Sequence, residues 1–524
     1  MTASRLVFKR CAALLLTGSL AFCEPPTVPC GYSNLYTVLQ DQIAAFDGAV
    51  SAQWSGSRPP VAFAGELLLA NGNLGKELLA PGAYNNALVD LSRLQSLGVK
   101  AVTVNIPFPI LLPSFFRWNG DPGDYASFLN FYQQLASQIH VLGLQMIVKG
   151  SPIYPVGYAP WSCDPPMTGL NVAGFYKALT DAQYIYARAQ TILNIAQLVK
   201  PDYISIGTEP DTEAIVTGKS FVNTPSGYAS LVGYTLSQLS AARVGGVVVG
   251  AGLGTWLPGA TSYIQALGAL SLSYIDLHVY PINFSWLNNA ISLAAQAHSL
   301  GKSVAISEAW LQKEANSEYS TVNVRTNCLI YSRDPFSFWS PLDQQFLNAL
   351  VKFSFWEHAL LLSPYWTKYF YAYLDYSQVN TMKPKGIFTR SDAVSLTAMT
   401  NGQLTSTALA WQTLAGPSPP ASFLVYATPV CQSVAGAGRV NWRVNAAYDV
   451  AYAAFPGSVD LSVAGLPTGA TAGFSAASVS PGSAASILTV ASGTAAAGAY
   501  SLTISGTSAG VTYNATVTFT ITGQ

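Results

Sequence analysis

An α/β fold, a (β/α)8 barrel followed by a small all-β sandwich, is what this sequence predicts, on three observations. Eight apolar, β-rich runs alternate with amphipathic stretches of helical period over about 350 residues. Those runs are continuous rather than alternating, as parallel strands covered on both faces should be. The composition then changes: from about residue 430 onward only Arg439, Arg443, Asp449 and Asp460 carry charge, in a tail of Ala, Gly, Ser, Thr and Val.

At the amino end, Arg5, Lys9 and Arg10 precede the apolar stretch CAALLLTGSLAF, and small residues at Ser19 and Ala21 suit a cleavage site. Residues 1–23 are read as a signal peptide, too short for a stable membrane span. Lipidation at Cys23 is the alternative, disfavoured because Phe22 stands where a small residue is wanted. The expected location is secreted or periplasmic.

The strand-like runs are 61–69, 101–108, 144–149, 202–207, 244–251, 274–280, 303–307 and 362–371. Helical periodicity fills 85–98, 124–143, 175–199, 227–243, 285–301, 343–362 and 405–416. An open doubly wound sheet is the competing topology, but no GxGxxG follows the first run. The barrel is expected over 24–415. GPSPPAS at 416–422 opens a linker to residue 430, since prolines stop helices and stiffen connections. Residues 431–524 read as short alternating strands between Gly/Pro/Ser turns, which is a sandwich pattern.

Composition excludes several functions. Of 524 residues, 50% are apolar and 12% aromatic, enough for a sizeable core. Only 10% are charged, against about 25% in an average globular protein. Basic and acidic residues number 25 each and form no long basic run, so an electrostatic nucleic-acid or anionic-membrane binder is excluded. Among six cysteines, Cys11 leaves with the signal. If Cys23 leaves too, Cys30, Cys163, Cys328 and Cys431 permit two disulfides in an oxidising compartment. No CxxC or His/Cys cluster suggests a metal, and no cofactor is expected.

In such a barrel the active site lies at the C-terminal ends of the strands. The fourth run ends in Thr208-Glu209-Pro210-Asp211 and the seventh in Ser307-Glu308-Ala309-Trp310. Two carboxylates facing each other across a cleft are the equipment of glycoside hydrolysis, and a separation of about 5–5.5 Å would make one of them a nucleophile. Aromatic residues in loop-like positions (Tyr154, Tyr158, Trp161, Trp256 and Trp310) suit the C–H faces of sugars. Lys149 and Glu66 also end strands and are candidates for binding hydroxyls.

ISIGTEP (204–210), LHVYP (277–281) and AISEAW (305–310) together resemble clan A glycoside hydrolases. The resemblance spans about 60–415 and implies a (β/α)8 barrel that cleaves β-glycosidic bonds with retention. It implies Glu209 as acid/base and Glu308 as nucleophile. His278 and Tyr280 become site-lining residues, Tyr280 as a hydrogen-bond donor to the nucleophile. Trp366 matches the aromatic floor under the sugar. Thr208 departs from the pattern, standing where the clan has an Asn that binds the sugar 2-hydroxyl. The clan's frequent Arg at the end of strand two is missing, and Asn105 is the polar residue there. The tail resembles the immunoglobulin-like modules of secreted bacterial proteins, with a spacer or stabilising role. The expected activity is therefore that of a secreted, retaining, endo-acting glycosidase with a carbohydrate substrate. A non-catalytic carbohydrate-binding protein on the same barrel is the alternative.

Overall fold

The computed structural model describes residues 27–155, 163, 169–280, 284–315, 317–318, 328–416, 423–448 and 457–523. The signal segment with Cys11 and Cys23, and also Tyr158, Trp161 and Asp449, lie outside the described residues. The described residues fall into two compact units. One lies within Leu35–Leu424 and Ala447–Pro456, the other within Met1–Asn34, Val425–Ala446 and Gly457–Gln524.

The first unit holds the parallel strands β1 (Ala62–Phe63), β2 (Ala101–Asn105), β3 (Gln145–Lys149), β4 (Tyr203–Ser205), β5 (Val248–Gly254), β6 (Tyr274–Val279), β7 (Ser303–Ala309) and β8 (Leu361–Pro364), each falling on one of the eight apolar runs. They pair in the order β1-β8-β7-β6-β5-β4-β3-β2. A parallel bridge between Glu66 and Thr103, with Leu67 N–H donating to Thr103 O at 2.9 Å, joins β1 to β2 and closes the ring. Ala64, Ala101, Ile147, Tyr274, Ala305 and Leu361, all fully buried, form one layer inside it. Small residues there make room for one large ring: a Cβ on Gly250 would meet the Tyr274 ring at 2.2 Å.

Several runs differ from the periodic reading, and the run 61–69 gives only the two-residue β1 before a 3-10 turn at Leu68–Ala70. The run 362–371 is not one strand. β8 stops at Pro364, which has no N–H for the ladder, and Thr367–Phe370 forms a 3-10 turn pinned by Thr367 Oγ1 donating to Glu66 O at 2.8 Å. The helical run 175–199 splits at Thr180. That residue caps Asp181–Asn194 through a reciprocal capping box with Gln183, so the chain restarts there instead of continuing.

The second unit is built on two β-sheets. One sheet orders β10 (Cys431–Ala435), β17 (Val511–Thr522), β16 (Gly498–Ser508), β12 (Val459–Ala464) and β14 (Ser478–Val479). The other orders β13 (Thr471–Phe474), β15 (Ser486–Ala491), β11 (Arg439–Tyr448) and β9 (Phe423–Thr428). Alternate residues point inward, and Trp442 meets Phe519 edge-to-face at 6.1 Å. Two features lie outside the sequence reading. β9 occupies part of the expected linker. Residues near Cys30 join β10: Cys431 N–H donates to Ser33 Oγ at 3.2 Å, and the Cys30 and Cys431 sulfurs stand 2.6 Å apart.

Candidate active site

Glu209 leaves β4 on a short turn and sits as N-cap of Pro210–Thr217, where proline's fixed φ suits the first helical position. Beneath it, buried Arg188 grips Glu213 through Nε (3.0 Å) and Nη2 (3.1 Å) and donates to the carbonyls of Gly150 and Ile206. Tyr184 OH donates to the same Glu213 at 2.6 Å. The ends of β3 and β4 are thus braced to the helix that Glu209 caps.

Glu308 is aimed by a different device. Asp276 pairs with Ala305, but His278 pairs with Glu308, so β7 carries one extra residue. Such a bulge turns a side chain that regular alternation would direct elsewhere. Asp276 sustains it: its carboxylate accepts from Ser307 N–H at 2.9 Å and Ser307 Oγ at 2.6 Å, and from Ser205 Oγ on β4 at 2.5 Å.

These elements bring the two glutamates together over β6. An oxygen of Glu209, a ring nitrogen of His278 and an oxygen of Glu308 all lie within 4.8 Å of one another. His278 Nδ1 stands 2.8 Å from Glu209 Oε1 and 4.0 Å from Glu308 Oε2. Tyr280 OH donates to Glu308 Oε1 at 2.6 Å. Lys149 donates to the other oxygen, Oε2, and its Nζ is also 3.0 Å from Glu66 Oε2. Trp256 packs edge-on against Tyr280 at 5.7 Å and donates to Asp211 at 3.1 Å.

The electrostatics separate the groups. Burial pushes the Glu308 carboxyl up, but the Lys149 and His278 charges and the hydrogen bonds from Lys149 and Tyr280 outweigh it and hold it below the ordinary glutamate value. Burial disfavours the charged form of His278, yet Glu308 and Glu209 overcome that and raise it above the ordinary histidine value. Glu209, His278 and Glu308 are near enough to share one cation. The Lys149 ammonium already neutralises Glu308, however, and His278 is held toward its charged form, so the trio suits proton chemistry.

Asn105 lines the carboxylate pocket, 7% exposed, with its Oδ1 unpaired. Thr208 lines it too, its Oγ1 2.8 Å from Ser151 Oγ at the end of β3. One expectation is corrected. Trp310 is 1% exposed, packed against Tyr369 at 5.7 Å and Phe370 at 6.5 Å, so it is core and no platform. Trp366 lies beyond the end of β8, so it lines an adjoining cavity of about 280 Å3. Tyr154 and Tyr365 are the tyrosines that line the carboxylate pocket, and Tyr365 borders both spaces. Lys149 and Glu66, expected to bind hydroxyls, pair with each other instead, and Lys149 also reaches Glu308. Ser151 and Tyr365 carry no motif, and their parts follow only from barrel closure. A disulfide joins Cys163, after β3, to Cys328, after β7.

An eight-stranded parallel barrel with carboxylates at the ends of β4 and β7, and all-β sheets behind it in the chain, resembles the clan A glycoside hydrolases. No protein-family profile and no curated protein matches the sequence. Among solved structures the chain is similar to an endo-β-1,4-mannanase from Thermotoga petrophila, at 11% identity over 89% of this chain and 99% of that one, with a TM-score of 0.45. It is similar to a β-glucuronidase from Bacteroides uniformis at 10% identity (90% and 48% of the chains, TM-score 0.38). It is also similar to chitinase ChiW from Paenibacillus sp. at 10% identity (81% and 54%, TM-score 0.33). What the site can do follows from its own side chains.

Proposed function

We propose that this chain is a glycoside hydrolase that cleaves β-glycosidic bonds with retention, Glu308 acting as nucleophile and Glu209 as acid/base. The observation that carries the reading is the pair itself: carboxylate oxygens within 4.8 Å, each with its own hydrogen-bond set. That spacing leaves no room for a water between carboxylate and sugar, as an inverting mechanism needs.

Glu308, held ionised by Lys149 and Tyr280, attacks the anomeric carbon. The proton shared between Glu209 and His278 passes from Glu209 to the departing oxygen, and the glycosyl ester forms as the aglycone leaves. Glu209, now a carboxylate, takes a proton from water. The water oxygen displaces Glu308 and the first protonation state returns. Asn105 and the Thr208–Ser151 hydroxyl pair supply hydrogen bonds to sugar hydroxyls.

The finer reading is a secreted or periplasmic enzyme acting within a polysaccharide chain. The amino-terminal sequence supports export, and so does the Cys163–Cys328 bridge, since such bonds persist in oxidising compartments. The 280 Å3 cavity beyond Tyr365 supports endo action by leaving space for further sugar units. The test is release of aryl alcohol from a panel of aryl β-glycosides, with NMR of the first-formed anomer. Release with retained configuration is expected. Binding to insoluble glycans without release from any glycoside would make the protein a non-catalytic carbohydrate binder.

A further inference from the structure

Three charged groups from three strand ends meet beneath the cleft. Glu66 follows β1 and is 0% exposed, Lys149 ends β3 at 1% exposed, and Glu308 lies on β7. The Lys149 ammonium donates to Glu308 Oε2, lies 3.0 Å from Glu66 Oε2 and stands 4.8 Å from the centre of the Tyr365 ring. Glu66 ties the fold together through its backbone, which pairs with Thr103 and accepts from Thr367. Its carboxylate faces Lys149, and a buried ion pair of this kind adds little to stability. A role in the charge balance of the site is what remains for the carboxylate.

That balance changes during the proposed reaction. When Glu308 becomes a glycosyl ester it loses its charge, and Lys149 would be left as a buried cation with no anion, a costly state. A lysine that holds the nucleophile ionised would then also oppose its attack. We propose that Glu66 is a positioning residue that keeps Lys149 paired when Glu308 passes from carboxylate to ester, so that Lys149 can hold the nucleophile without resisting the bond it forms. This rests on Glu308 being the nucleophile.

The same geometry makes the device respond to pH. Burial raises the Glu66 carboxyl to about 7, against the pull of Lys149, with Glu308 raising it further and His278 lowering it. The groups facing it are Lys149 from β3, Glu308 from β7, His278 from β6 and the Tyr365 ring after β8. Below neutrality Glu66 takes up a proton, and the whole Lys149 charge falls on Glu308.

The test is pre-steady-state kinetics on a dinitrophenyl β-glycoside of whichever sugar the aryl panel selects. Glu66→Gln keeps the shape and removes the charge. The burst rate should fall at least tenfold, the change in burst rate around pH 7 should vanish, and the second, hydrolytic step should change less. Glu66→Asp should restore part of the burst. A merely structural role would lower the melting temperature and leave the pH profile in place. The double variant Glu66→Leu/Lys149→Met removes both charges and guards against misfolding of the single one. Its rate should rise with pH through a higher value than wild type, because Glu308 has lost its cation. A Glu66→Gln or double variant with the wild-type burst rate and pH profile overturns this proposal while leaving the nucleophile assignment standing. A wild-type protein that releases no aryl alcohol overturns both.

Discussion

At the scale of residues, the two glutamates are distinguished by what surrounds them, and variants should separate them. Glu308→Ala and Glu209→Ala should each fold, because both side chains end strands at an open mouth, and each should lose several orders of magnitude in turnover. Azide should restore Glu308→Ala by acting as substitute nucleophile and yield an α-glycosyl azide. Glu209→Ala should keep most of its burst on a dinitrophenyl glycoside, which needs no proton. Turnover of a natural glycan near the wild-type rate by either variant would remove that residue from the mechanism. Thr208 can be tested at the same level. Its hydroxyl pairs with Ser151 at 2.8 Å, so the two act as one polar group. Thr208→Val and Ser151→Ala should each cost about tenfold to a hundredfold in kcat/KM, from a lost hydrogen bond and an unsatisfied buried partner. The double variant should cost little more than either single one, because the pair is already broken. Fully additive losses, or equal losses on a 2-deoxy sugar, would place the pair away from the 2-hydroxyl.

At the scale of elements, the eight strands and most helices are legible because each depends on local pattern: continuous β-branched runs, 3.6-residue periodicity, prolines and caps. Glu209 and Glu308 are legible because each ends such a run. The functions of Lys149 and Glu66 are not. Their convergence needs β1 and β2 to close through Glu66 and Thr103, a pairing that no window of sequence contains. Trp310 misleads for the same reason: a Trp two residues past a carboxylate reads as a platform, and only packing on Tyr369 and Phe370 shows it to be core. The recruitment of residues around Cys30 to the β unit is likewise invisible, because the partners lie 401 positions apart. It yields a prediction. The chain purified without reductant should contain linked peptides for Cys163–Cys328, and after mild oxidation for Cys30–Cys431. Cys431→Ser should lower the stability of the β unit by about 2–4 kcal/mol once that second bridge has formed. Carboxymethylated Cys30 after oxidation would show that the two sulfurs do not join. A chain cut to 35–424 loses both of these cysteines and keeps every residue proposed to act on the sugar, so it should still hydrolyse small aryl glycosides.

At the scale of the whole molecule, acidic and basic residues cancel to a formal net charge of zero, so overall charge repulsion contributes little to the pH dependence of stability near neutrality. Individual buried groups should set it instead. Burial raises Asp90 to about 7, against hydrogen bonds from Leu69 and Tyr371. It raises Glu66 to about 7, Asp334 to about 6 and Glu314 to about 8. Each of these carboxyls has a higher pKa folded than unfolded, so in the interval between the two values the folded state binds more protons. Their contribution is complete below about pH 4, the unfolded value, and is lost as pH rises through 6 to 8. His278, raised by Glu308 and Glu209, has the same sign: its contribution is present below its unfolded value near 6.5 and fades as pH passes its folded one. Carboxyls lowered by partners, such as Glu318 beside Arg333, act oppositely, but their effect is exhausted below pH 5. The melting temperature should therefore be highest in mildly acidic buffer and fall by about 5 °C or more between pH 5 and pH 8.5. Asp90→Asn isolates one contributor: an amide keeps one oxygen for Leu69 N–H and turns an NH2 toward the Tyr371 hydroxyl, which then accepts instead of donating, and it cannot ionise. That variant should lose a little stability at pH 5, and its melting temperature should decline less steeply toward pH 8.5 than that of wild type. Parallel melting curves for the two proteins across this range would show that Asp90 does not titrate there. A melting temperature that climbs from pH 5 to pH 8.5 would show that the buried carboxyls are ionised and paired throughout.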